Sequence, residues 1–165
     1  MNLLFVDFRR SSYFVCMSGQ KTIPEIQVEI VDNYSFFDDW MDKYAQIIEE
    51  GKKLTPFPEE YRNDQFKVQG CVSQVWLHSE LKEGKVFFHA DSDAIITKGL
   101  IALLLQVYSG QSPADIVQNP PVFLEKMELG KHLSPNRSNG LVSMVRDIRN
   151  YATAYVQMSE AGSRV

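Results

Sequence analysis

Apolar residues recur at helical spacing in the first third of this chain, alternate in its middle, and return to helical spacing towards its end. Thr22-Ile23-Pro24-Glu25 has capping-box spacing with proline in the first turn, which predicts a helix carrying Ile26, Ile30 and Val31 inward. Ser35-Phe36-Phe37-Asp38 reads as a second helix start. Phe37, Trp40, Met41, Tyr44, Ile47 and Ile48 then form one apolar face, with Asp38, Asp39 and Asp42 near its positive end and Gly51 as its stop. Pro56-Phe57-Pro58 breaks regularity, and residues 59–64 read as a turn or short helix. Residues 66–68 read as a short strand. Val75 and Leu77 alternate with Trp76 and His78, Lys82-Glu83-Gly84-Lys85 supplies a turn, and residues 86–90 return as the second strand of a hairpin. Helices are expected over one face of this hairpin and part of the other. Asp91-Ser92-Asp93 reads as an N-cap cluster for a helix over 94–108, which is apolar on nearly every side and therefore buried. Lys98 and Gln106 interrupt it, so it is not a membrane span. Ser112-Pro113 opens a further short helix, Asn119-Pro120-Pro121 stops it, and another covers 122–129. A last helix presents Leu141, Met144, Val145, Ile148, Ala152 and Tyr155 on one face. The pattern predicts an α+β single domain: several helices around an antiparallel sheet of about three strands.

The length of 165 residues fits one domain with a sizeable core. A net charge of −4 and a pI near 5.4 argue against a nucleic-acid binder. The two cysteines, Cys16 and Cys71, are too few for a disulfide scaffold and form no Cys-x-x-Cys pair. That usage suits a reducing compartment, and a cytoplasmic location is expected. The apolar stretches within residues 1–16 are interrupted by Asp7, Arg9 and Arg10, so they do not read as a signal peptide. Met17 opens a polar run that looks like an ordinary protein start. Residues 1–21 are therefore read as an extension, mis-started or disordered, residues 22–157 as the domain, and 158–165 as a small polar tail.

There is no phosphate loop and no dinucleotide fingerprint. His78, His89 and His132 lack metal-ligand spacing; His78 and His89 are expected to face each other across the hairpin, with no third ligand. Asp91 and Asp93 are accounted for by helix capping. The remaining chemistry rests on Cys71. Gly70 lets the chain turn tightly before it. Ser73 and Gln74 could donate hydrogen bonds to a thiolate, and Val68, Val72 and Val75 could shield the thiol and raise its pKa. Three readings follow from these residues: a nucleophile acting alone, which needs a base within reach, a peroxidatic or disulfide-exchange thiol, which wants a resolving cysteine that Cys16 supplies poorly, or an inert buried cysteine.

The runs Val68-Gln69-Gly70-Cys71-Val72-Ser73-Gln74-Val75-Trp76, Ala90-Asp91-Ser92-Asp93-Ala94 with Lys98-Gly99-Leu100, and Leu133-Ser134-Pro135-Asn136-Arg137 with Asn139-Gly140-Leu141 resemble the SufE family. Phe36-Phe37-Asp38-Asp39-Trp40-Met41 and Gly110-Gln111-Ser112-Pro113 match as well, so the resemblance runs over about residues 22–156. One departure is Val72, where the family commonly has glutamine; it removes a polar group beside the thiol. The resemblance implies a sulfur acceptor of iron–sulfur cluster assembly. Cys71 would take sulfur as a persulfide from a cysteine desulfurase, stimulate that enzyme, and deliver the sulfur to a scaffold complex, or to recipients other than clusters. It implies no cofactor of the chain's own, since the pyridoxal phosphate belongs to the desulfurase, and no metal, nucleic acid or membrane; a homodimer is compatible with it. Gly70, Ser73, Gln74, Asp91, Asp93 and Arg137 become positions that support the loop or meet the partner. Arg137 would stabilise a persulfide anion or pair with the partner.

Overall fold

In the computed structural model, which describes residues 19–162, the elements follow in the order α1 (Ile23–Ser35), α2 (Trp40–Lys52), β1 (Val75–Lys82), β2 (Lys85–Ser92), α3 (Ile95–Tyr108), α4 (Pro113–Gln118), α5 (Val122–Lys126), α6 (Leu129–His132) and α7 (Pro135–Gly162). Cys16 and Met17 lie outside the described residues, as do most of the expected N-terminal extension and the last three positions. The architecture is α+β, as the residue pattern predicts.

α3 runs through the middle. Leu100, Ile101, Leu103 and Leu104 are at most 1% exposed, and each contributes about 1.5–3 kcal/mol by leaving water. The helix packs against α1, α2, β2 and α7. α2 and α3 cross where two glycines meet: a Cβ on Gly51 would lie 2.8 Å from the Gly99 amide nitrogen. Gly51 is therefore not the expected stop. The helix runs on to Lys52, and the glycine serves the crossing instead.

α1 starts as predicted. The Thr22 hydroxyl accepts from the Glu25 amide at 3.4 Å while the Glu25 carboxylate accepts from the Thr22 amide at 2.8 Å. Ser35 closes α1 rather than opening α2, and Asp39 caps α2 by accepting from the Met41 amide at 3.1 Å. The expected helix over 122–129 stops at Lys126 and a separate one starts at Leu129, because Glu128 turns into the left-handed region at φ 55°. The final helix continues through the expected tail to Gly162, with Met144, Ile148 and Ala152 fully buried.

The sheet has two strands among the described residues, not about three. The strands pair antiparallel from Val75↔Ser92 to Lys82↔Lys85, joined by Glu83 and Gly84, both at positive φ, as a tight hairpin turn requires. The expected strand at 66–68 shrinks to a 3-10 turn at Asp64–Phe66 and a single bridge, Lys67↔Trp76. The chain must leave the ladder at once to form the Gly70 turn, so pairing cannot extend. Val75, Leu77, Val86, Phe88 and Ala90 face the core. Among the described residues no α-helix covers the outer face, where helices are expected; two short 3-10 turns, Glu59–Tyr61 and Asp64–Phe66, stand there instead. The segment around residues 57–66 lies over it: Tyr61 stacks on His78 at 3.7 Å, and the Arg62 guanidinium sits 4.9 Å from the Trp76 ring centre.

The α2–α3 crossing makes a testable demand. A Cβ on Gly99 would lie 2.2 Å from the Ile47 carbonyl oxygen. Backbone cannot rotate out of the way, so Gly99→Ala should destabilise the fold by about 3 kcal/mol, the upper end for overpacking. Urea denaturation should show the midpoint falling at unchanged slope; an unchanged midpoint would show that the helices separate freely.

Candidate functional site

The loop from Gln69 to Gln74 is held at both ends. At its start the Arg146 Nη2 donates to the Gln69 carbonyl at 3.0 Å. At its end the Gln74 amide donates to the Asp93 carboxylate at 2.9 Å, and the Asp93 amide returns a bond to the Gln74 carbonyl at 3.2 Å. The Val68 amide donates to the Val75 carbonyl at 2.8 Å and closes the base. Between the clamps Gly70 takes φ 92°, a conformation costly for any residue with a Cβ. Such an atom would also meet the Ser143 hydroxyl at 2.7 Å.

Cys71 follows, half-buried. Its thiol donates to the Gly140 carbonyl at 3.5 Å. A Cβ on Gly140 would lie 3.3 Å from the sulfur, so a bare position in α7 is what seats the thiol. Burial pushes the Cys71 thiol up; the Asp147 carboxylate adds to this, and the Arg146 guanidinium opposes it. At rest the group is a protonated, partly shielded thiol.

One side of the sulfur opens on a cavity of about 330 Å³. Cys71, Val72 and Ser73 form its loop wall, Thr97 comes from α3, and Ser134, Asn136, Arg137 and Gly140 come from the start of α7. No histidine lines it. His78 and His89 do pair across the hairpin, ring centres 6.2 Å apart, while His132 stacks on Trp40 at 3.7 Å. Among the described residues no three metal-ligating side chains gather.

The structure thus brings Cys71, Ser73 and Arg137 to one cavity and places Gly70 in the turn beneath. Asp93 is a clamp rather than a helix cap. Asp91 is not a cap either. On the outer face of β2 it meets Arg62 at 2.8 Å and Lys98 at 2.8 Å. Burial pushes its carboxyl up, but the bonds from Lys98 and Arg62 prevail and hold it below the usual carboxylate range. Asp91 therefore fixes the covering segment and the start of α3, not the thiol. Gln74 does not turn to the sulfur; its side chain accepts from Lys67 at 3.4 Å. Val72 is 77% exposed and does not shield the thiol, while Cys71 packs against the core cluster that includes Val68 and Val75. α7 shelters it as well.

Thr97, Ser134, Asn136, Arg146 and Asp147 were not singled out by their residue pattern. Gly140 carried one signal: a glycine inside a helical run costs about 1 kcal/mol and implies a packing reason.

With this geometry in view the comparisons are specific. The SufE family model, described as an Fe-S metabolism associated domain, matches residues 28–152. The chain is 40% identical over 134 residues to an uncharacterised SufE-like protein of Synechocystis sp., covering 81% of this chain and 84% of that one. It is 43% identical over 129 residues to one of Rhizobium etli, covering 75% and 87%. A solution structure of a hypothetical protein from Thermus thermophilus shares the fold, with a TM-score of 0.68 at 19% identity over 80% of this chain and 96% of that one. The chain belongs to the SufE family.

The raised thiol pKa has a measurable sign. Alkylation of Cys71 should rise through a midpoint above the ordinary cysteine value of about 8.5. Asp147→Asn removes a charge that disfavours the thiolate, so its midpoint should move down and alkylation at neutral pH should quicken. Rates read by intact mass across pH check this; an unmoved midpoint in the variant would mean that Asp147 does not act on the thiol.

Proposed function

We propose that the chain is a sulfur carrier whose Cys71 accepts persulfide sulfur from a pyridoxal-phosphate cysteine desulfurase in the cytoplasm, stimulates that enzyme, and passes the sulfur to an iron–sulfur cluster scaffold. The observation that carries this reading is the half-buried Cys71 thiol, clamped on a glycine turn and facing a cavity without a histidine base. Acceptance of sulfur requires only one thiolate. Once Cys71 has lost its proton, its sulfur attacks the outer sulfur of the partner's persulfide. A sulfur–sulfur bond forms at Cys71, the partner's bond breaks, and the partner's thiolate leaves. The chain contributes no cofactor to this exchange.

The resting geometry suits a carrier that must avoid stray reductants. Desolvation favours the protonated thiol at rest, and displacement of the loop by a partner would free more of the thiolate. Exposed Val72 sits at the tip, where a partner meets it first. Membership of a family associated with Fe-S metabolism supports the direction of the transfer. No described helix is long and apolar enough to cross a membrane.

Incubating the protein with a cysteine desulfurase and cysteine, then weighing it intact, tests the reading. Wild type should gain sulfur, Cys71→Ser should gain none, and desulfurase turnover should rise only with wild type. Unmodified wild type that hydrolyses a substrate by itself would instead favour a stand-alone cysteine enzyme, and no sulfur with unchanged partner binding would favour an interaction module. Docking should also loosen residues 66–76. Hydrogen exchange there should quicken when the desulfurase is added, while an exchange pattern indifferent to it would rule out loop displacement.

A further inference from the structure

The cavity beside Cys71 is larger than a carried sulfur requires. Its volume of about 330 Å³ is roughly ten times the ~30 Å³ share of a water molecule and lies within the ~300–1,000 Å³ of small-molecule sites. Its polar walls are also unspent. Thr97 is only 7% exposed, yet its hydroxyl has no hydrogen-bond partner among the described residues and opens on the cavity. The hydroxyl still touches solvent through the cavity, so it is free to bond a ligand that enters. Ser73, Ser134, Asn136 and Arg137 likewise commit no side-chain hydrogen bond or ion pair to another described residue.

Two features of the cavity wall favour an anion, against the Asp147 carboxylate, which acts on the Cys71 sulfur and is itself paired with Arg146. Thr97 is in the first turn of α3 and Arg137 in the first turn of α7, so two helix N-termini converge there with their unsatisfied amides. An arginine in a first turn works against its own helix but adds to an anion site. The carboxylates at the start of α3 are committed elsewhere, Asp91 to Arg62 and Lys98 and Asp93 to the Gln74 amide.

We propose that this cavity binds a small oxyanion carrying a transferable sulfur, of the thiosulfate type, and that Cys71 is charged from it directly. This rests on the reading of Cys71 as a sulfur acceptor and adds a donor that is not a protein. Cys71 gives its proton to water at the open side of the cavity, and the thiolate attacks the outer sulfur of thiosulfate. A sulfur–sulfur bond forms at Cys71, the donor's sulfur–sulfur bond breaks, and its electron pair departs with sulfite. The chain is left with a persulfide anion, and total charge is unchanged. The outer sulfur keeps its oxidation state, so no oxidant or reductant is consumed. Arg137 and the two helix ends hold the sulfonate oxygens as charge passes to the leaving sulfite.

The test uses the reduced full chain with sodium thiosulfate and no desulfurase, reading intact mass and released sulfite. Wild type should gain one sulfur atom with matching sulfite, and Cys71→Ser should gain none. Sulfate, which fits the oxyanion but carries no transferable sulfur, should slow loading. Thr97→Val should slow it about threefold to tenfold, the scale of one hydrogen bond, and Thr97→Ser should restore it. A sample that loads normally from desulfurase and cysteine but not from thiosulfate would overturn this proposal and leave the acceptor reading intact. Loading indifferent to both sulfate and Thr97→Val would overturn the site. Failure to load from either source would overturn both readings.

Discussion

Everything around Cys71 depends on how closely α7 approaches the loop. Two glycines set that distance from opposite sides: Gly140 leaves room for the sulfur, and Gly70 leaves room for the Ser143 hydroxyl. A Cβ at Gly140 would press on the sulfur, and one at Gly70 would be strained by its positive φ and would push the Ser143 hydroxyl aside, so either change would disturb the seat of the thiol. The same approach brings Arg137, Asn136 and Ser134 alongside the sulfur. It also sets Arg146 and Asp147 close enough to oppose each other on the thiol. Thus one steric allowance determines burial, polarity and acidity at the site together.

Behind this contact stands a rigid frame. α3 is buried on nearly all sides and serves at once as core and as wall, since Thr97 in its first turn reaches the cavity. The Asp91 carboxylate, held by Arg62 and Lys98, ties the outer segment, the sheet and the start of α3 into one unit. A half-buried ion cluster of this kind adds less to stability than to position. Asp93, two residues on, transmits that position to the loop through the Gln74 amide.

The elements were legible where a local rule decides them. The capping box at Thr22, the glycine turn at 83–84 and the apolar run of α3 each depend on residues near one another in the chain. Cys71 stood out by its glycine and its strand, and the motif runs around Asp93 and Arg137 placed these two in the neighbourhood. What local pattern could not disclose was purpose. Asp91 and Asp93 precede a helix and resemble caps, but tertiary partners claim both carboxylates. Gly51 resembles a stop, yet it exists for Gly99, far along the chain. The third strand failed because the glycine turn competes for the same backbone. Thr97 was silent, since nothing in an apolar helix reveals that one hydroxyl faces a void bounded by residues from the start of α7.

The two clamps on the loop are unequal. The Gln74 end is secured by a reciprocal pair of bonds and continues into the ladder of β1. Gln69 itself has one bond, from Arg146, whose side chain is 51% exposed, but Val68 just before it is buried and donates to the Val75 carbonyl. A pull on the loop would therefore free Gln69 to Ser73 as a bow between two fixed ends, Val68 and Gln74. Such a motion lifts the sulfur away from α7 without disturbing the sheet.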